Sequence, residues 1–237
     1  MRFILALSVA LLASPASALT ASQKAAASSV ALPPVSATCK VQNNSTLPYL
    51  CADFQNGVYI LNGVQYRSYS AMGFTTSGAC SVAKGSGVSC NPNGYLKLSN
   101  SQNPASGYMI VVDASDSTAQ AFTDNALIYD GAHFTGSIQQ TTSRTGRVGG
   151  GTACGTQTAS NTKDASYQSS TTAGTCSVAG GTASSVTSQT APPANTPLYV
   201  GGIPSSPNSI VPPNFVRSVR IYLGTFTNGQ VQTASTQ

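Results

Sequence analysis

Apolar positions along this chain fall in short runs that either alternate with polar ones or stand unbroken for about five residues, and both spacings belong to strands. In "GVYILNGVQYRSYS", Tyr59-Ile60-Leu61 and Val64-Gln65-Tyr66 flank Asn62-Gly63. Asn-Gly is the pair that best tolerates the positive φ angles of a tight turn, so a hairpin is predicted there. "GYLKLSN" alternates Tyr95, Lys97 and Ser99 with Leu96 and Leu98, as a half-buried strand does. "GYMIVVDAS" is apolar without a break from Tyr108 to Val112, the pattern of a strand covered on both faces. "NALIYDGAHFTG" sets Asp130-Gly131 between Leu127-Ile128-Tyr129 and Ala132-His133-Phe134, a second hairpin signal. No fixed-period repeat is visible, which argues against a solenoid or propeller.

The closing segment is the most informative. "PLYVGG", Pro197 to Gly202, reads as a strand ending at glycines, and "FVRSVRIYL", Phe215 to Leu223, as a longer one. Strict alternation puts Phe215, Val219, Ile221 and Leu223 on a core face. Val216, Ser218, Arg220 and Tyr222 fall on the other, partly wet face, and Arg217 shares the apolar face near its start, escaping at the rim. Gly224 then breaks the strand. Thr227 with Gln230 three positions on forms a capping-box pattern, and Phe226 stands where a hydrophobic staple belongs, so a short helix is predicted.

This order of parts resembles the end of laminin-G-like, concanavalin A-like jelly rolls, in which a "PLYIGG"-type strand precedes one read as "VRIYNRALS" and a short acidic turn. Leu198-Tyr199-Val200-Gly201-Gly202, Val219-Arg220-Ile221-Tyr222, Phe226 and Thr227 carry the match. Leu223-Gly224-Thr225 and Gln230 depart from it. The resemblance implies an all-β fold, an antiparallel β-sandwich of the concanavalin A-like jelly-roll type, and a glycan or cell-surface polymer as ligand.

The ends and the bulk composition add a compartment. Met1-Arg2, an apolar stretch from Phe3 to Ala13 and Pro15-Ala16-Ser17-Ala18 have the form of a secretory signal peptide, residues 1–18. The apolar run is shorter than the roughly 20 residues a spanning helix needs, and no later stretch is apolar enough. Residues 19–37, rich in Ala and Ser with Pro33-Pro34, read as a flexible segment. Residues 38–237 read as one β-sandwich domain, a length that a single sandwich commonly reaches. Within it, residues 141–196 are a Thr/Ser/Gly-rich excursion, whose composition suits either short polar strands or a long surface run. Charged residues are only 7% of the chain and Glu is absent. The formal net charge is +5, but the basic residues are scattered, which excludes the clustered surface of a nucleic-acid binder.

Six cysteines behind a signal peptide point to disulfides, and fifteen pairings are formally open. Their spacing favours three local loops: Cys39 with Cys51, Cys80 with Cys90, and Cys154 with Cys176. A zinc reading is poorer, since there is no C-x-x-C and one histidine, His133.

Catalytic chemistry finds little support. Glycan hydrolysis generally needs two carboxylates flanking the bond, and the glutamate pair of the endoglucanase branch is impossible without Glu. Asp113 and Asp116 are the nearest substitutes, yet three-residue spacing puts them on opposite faces of a continuing strand. A serine triad would have to use His133, with no G-x-S-x-G elbow present. Calcium, which similar jelly rolls hold through Asp and Asn oxygens, has Asp113 and Asp116 as candidates, with Asp124, Asn125 and Asp130 nearby. Turn formation explains the same residues without a metal. For a sugar, Tyr129, Asp130 and His133 at the second hairpin tip form a small polar-aromatic candidate site, although ten Tyr and no Trp make a modest stacking inventory.

The reading that follows is a secreted, extracytoplasmic, non-catalytic binding module for a glycan or cell-surface polymer. Its alternatives are an adhesive or structural surface protein without a small-molecule site, and a polysaccharide hydrolase or lyase.

Overall fold

The computed structural model describes residues 31–99, 101, 104–115, 125–126, 128–129, 136–140, 143–148, 152–158, 163–187, 190, 193–204 and 214–237. Within them Pro33–Gln237 forms one compact unit. Strands dominate, and every ladder between them is antiparallel.

A one-turn helix, α1 (Ala37–Lys40), opens the described chain and leads into β1 (Leu50–Asp53). The predicted first hairpin follows as β2 (Val58–Leu61) and β3 (Val64–Tyr66), with Asn62 at φ 49° and Gly63 at φ 75° as a tight turn of this type demands. After α2 (Tyr69–Met72) come β4 (Phe74–Ser77), the β5 (Cys80–Ala83) and β6 (Gly87–Cys90) hairpin, and β7 (Tyr95–Leu98). The unbroken apolar run is β8 (Tyr108–Ser115), buried on both faces as its composition requires. Two short pieces, β9 (Asn125–Ala126) and β10 (Ile128–Tyr129), precede β11 (Gly136–Gln140).

The Thr/Ser/Gly-rich segment, whose structure its composition left open, supplies five strands: β12 (Ser143–Val148), β13 (Thr152–Thr158), β14 (Lys163–Gln168), β15 (Ala173–Val178) and β16 (Ser184–Thr187). Then come β17 (Leu198–Val200), β18 (Phe215–Leu223) and the helix α3 (Asn228–Ala234).

One large sheet runs β16-β15-β14-β8-β18-β1-β2-β3, with the β5–β6 hairpin joined to the start of β18 where Val88 pairs with Val216. A four-stranded sheet, β10-β17-β7-β4, packs across part of it. Phe74, Leu96, Leu98, Leu198 and Val200 from that small sheet meet Leu50, Ala52, Ile110, Val112, Val219 and Ile221 in the main core. A second four-stranded sheet, β13-β12-β11-β9, covers the β14–β15 end. Its Val148 and Cys154 pack on Cys176, which lies in register with Ser166 and, through it, Ile110, so both small sheets cover the same face. A Cβ on Gly146 would stand 2.9 Å from the Cys176 sulfur. Small residues let these layers approach closely, so a segment poor in large apolar side chains still packs as sheet.

The far face of the large sheet is also covered. Met109, Val111, Ala165, Tyr167 and Tyr222 are buried with Phe226, Val231 and Ala234 at α3. Thr227 caps α3: its side-chain oxygen accepts from Gln230 N–H, while the Gln230 side chain accepts from Thr227 N–H. Phe226 and Val231 supply the staple.

Two expectations for β18 are corrected. The supposed partly wet face is dry, with Arg220 and Tyr222 each only 1% exposed. A bulge between Val216 and Ser218 inserts one residue and reverses the parity. Val216 therefore joins the core face, and Arg217 reaches Asp113 instead of sharing that face.

Three disulfides join Cys39 to Cys51, Cys80 to Cys90 and Cys154 to Cys176, the pairings that local spacing favours. No described helix is long and apolar enough to cross a membrane.

Candidate functional site

The small sheet's outward surface collects aromatic side chains. Because Leu96, Leu98, Leu198 and Val200 point into the core, the alternate residues Tyr95, Lys97 and Tyr199 point away from it. Register then brings them together: Tyr199 stands opposite Lys97, and Lys97 opposite Thr75 on the edge strand β4. Tyr95 stands opposite Ser77. The rings of Tyr95 and Tyr199 meet edge to face with centroids 5.2 Å apart. The Lys97 ammonium lies 5.9 Å from the centre of the Tyr199 ring, within cation–π range.

This arrangement has a defined chemistry. Tyr199 is nearly covered, at 9% exposure, and braces Tyr95, which is half-buried. A braced, partly buried ring can offer what it exposes to the C–H side of a sugar. Lys97 adds hydrogen-bond donors and Thr75 and Ser77 add hydroxyls. The Thr75 hydroxyl is turned back, donating to the Lys97 carbonyl at 3.3 Å, which fixes the edge strand beside the aromatic pair.

Of the candidate residues named from sequence, Tyr129 is placed by its backbone, which pairs with Tyr199 in the β10–β17 ladder. Asp130 and His133, and the hairpin predicted around Asp130-Gly131, lie outside the described residues, as do Asp116 and Asp124. Asp113 sits on β8 between two cations, its carboxylate 3.5 Å from the Arg217 guanidinium and 4.0 Å from the Lys163 ammonium. That charge is already balanced by the protein. Among the described residues, no three or more His, Cys, Asp or Glu gather where a metal ion could bind.

Sequence reading missed the Tyr95–Tyr199 pairing. Alternation in "GYLKLSN" did mark Tyr95 and Lys97 as sharing the polar side of their strand. That Tyr199 lies beside them depends on β17 lying next to β7.

No family model matches the sequence, and no curated protein matches it. Solved structures do. A sialidase of Trypanosoma rangeli, in complex with 2,3-difluorosialic acid, aligns at a TM-score of 0.52 and 11% identity over 83% of this chain and 35% of its own. The same enzyme in complex with a 2,3-difluoro-KDN compound aligns at 0.51 and 13% identity, over 86% and 36% respectively. This chain thus spans about a third of the sialidase chains. Domain 4 of AbnA, an extracellular arabinanase from Geobacillus stearothermophilus, in complex with arabinotriose, aligns at 0.48 and 13% identity over 79% of this chain and 98% of that one. What the sialidase likenesses establish is the fold: an antiparallel β-sandwich of jelly-roll-like form.

Proposed function

We propose that this chain is a secreted, non-catalytic binding module that takes a glycan or a cell-surface polymer against the outward face of the β10-β17-β7-β4 sheet. The observation that carries the reading is the Tyr95–Tyr199 pair with Lys97 beside it. The proposed site also takes in Tyr129, whose backbone pairs with Tyr199 in the β10–β17 ladder, and Asp130 and His133, which follow it in the chain. An extracytoplasmic site of action is supported by the three disulfides and by the signal-peptide pattern of residues 1–18. The β17, β18 and capped α3 succession supports a laminin-G-like variety of the fold.

The test is retention on a glycan array and on insoluble polysaccharides, with and without calcium. Wild-type protein is expected to be retained on at least one surface, and Tyr95→Ala to weaken that retention by about tenfold, as loss of an aromatic anchor does. Wild-type protein retained on none of them would overturn the reading.

A further inference from the structure

Away from the tyrosine face, α1 and the turn that follows it lean over the tip of the β2–β3 hairpin and enclose a groove of about 580 Å³. That volume lies within the ~300–1,000 Å³ of small-molecule sites. Its walls are aliphatic: Val35, Leu47, Pro48, Ile60 and Leu223. Among the described residues lining it, Lys40 alone is charged. Lys40 is exposed, and no described carboxylate pairs with it.

The groove is held open by covalent and backbone links that do not depend on a ligand. The Cys39–Cys51 bridge fastens α1 to β1. Tyr49 N–H donates to the Ile221 carbonyl and Asn62 N–H to the Tyr49 carbonyl, each at 2.7 Å, tying one wall to β18 and to the hairpin tip. Asn43 and Thr46 close a tight turn on each other, with Asn44 at φ 50° and Ser45 at φ 60°. That turn delivers Leu47 to the rim with 54% of its surface in water. A rigid apolar channel with an exposed leucine at its lip and one unpaired cation at its edge is preorganised for a ligand of matching polarity.

We propose that this groove is a second binding site, distinct from the tyrosine face, and that it takes a single-chain anionic amphiphile. The acyl chain lies along Val35, Leu47, Ile60 and Leu223, and the carboxylate stands at the Lys40 ammonium.

The test is calorimetric titration of the full, disulfide-bonded protein with dodecanoate below its micelle concentration, repeated with dodecyltrimethylammonium, which has the same chain and the opposite charge. Dodecanoate is expected to bind saturably to one site and the cationic amphiphile at least about tenfold more weakly, a difference of about 1.4 kcal/mol. Lys40→Gln should weaken dodecanoate by about two- to fivefold, the scale of an exposed ion pair. Leu47→Asp, at a solvent-exposed position that leaves the core intact, should weaken it at least about tenfold. No saturable binding, or binding that Leu47→Asp leaves unchanged, overturns the site. Equal affinity for the two amphiphiles overturns the role given to Lys40.

Discussion

Arg220 and Tyr222 lie on the same face of β18 and meet there, the guanidinium Nη1 donating to the phenolic oxygen at 3.2 Å while the phenol donates to the Val41 carbonyl at 3.0 Å. The Arg220 Nε and Nη2 are buried without a hydrogen-bond partner. The tyrosine thus joins a desolvated cation to the segment that follows α1. Because an incompletely paired buried charge is costly, the two residues differ in what their removal does. Arg220→Met is expected to leave stability unchanged or to raise it. Tyr222→Phe should lower it by about 1–3 kcal/mol, since it strands both the Val41 carbonyl and Nη1. Urea denaturation with the disulfides intact distinguishes the two, and a large loss in Arg220→Met would show that the cation is a net stabiliser.

Gly87 marks the place where β6 meets β18. Its φ is +130°, and a Cβ there would run into the carbonyl of Val216. Gly87→Ala should therefore destabilise by about 1–3 kcal/mol from backbone strain alone, with the steric conflict added to it. Gly63 has φ +75° with nothing within 4 Å of an added Cβ, so Gly63→Ala should cost only the strain, about 1–2 kcal/mol. Equal losses from the two substitutions in thermal denaturation would contradict the crossing geometry.

The cap of α3 should be separable from its packing. Thr227→Ala removes one half of the capping box and should cost about 1 kcal/mol, within the usual range for an N-cap. Phe226→Ala removes a ring packed edge to face against Tyr167, with centroids 5.2 Å apart, and should cost about 3–5 kcal/mol. Hydrogen exchange at Gln230, whose N–H the Thr227 oxygen accepts, should speed up in the first variant.

Alkaline pH should destabilise the protein through buried tyrosines. Burial, then the neighbouring Tyr69 and Asp53, raises the Tyr59 phenol to about 12 from its ordinary value of 10.0. The folded chain therefore holds that proton more tightly than the unfolded chain. The resulting stability is complete below pH 10.0 and is lost as pH rises toward about 12. Burial also raises the Tyr222 phenol, although Arg220 opposes the shift, so its contribution has the same sign. Tyr59→Phe should flatten the alkaline limb of a stability–pH profile, and tyrosinate absorbance should report the raised titration. An unchanged limb would mean that Tyr59 is not its source.

The strands read along the chain, β2, β3, β7, β8, β10, β17 and β18, were legible because their determinants are local. The Asn62-Gly63 turn, the alternation of Tyr95 to Leu98, the unbroken run of β8 and the Thr227–Gln230 cap each involve residues within a few positions of one another. Residues 141–196 were less legible. Their strands are held by close layer contact at small residues such as Gly146, which hydrophobic periodicity does not register. The β18 parity was misread because a bulge is created by pairing with a partner strand, Val216 with Ala114 and Ser218 with Asp113.

By itself, then, the sequence determined an all-β chain, favoured the three local disulfide pairings, and marked the alternation of β7 and the unbroken apolar run of β8. Those properties follow from covalent neighbours, chain stiffness and spacing. Only the tertiary structure decided that β17 lies between β10 and β7, bringing Tyr199 against Tyr95 and Lys97, and that α1 and β18 close a groove beside Lys40. Strand order is chosen by burying surfaces distant in sequence against each other, and a site formed by such burial has no contiguous signature.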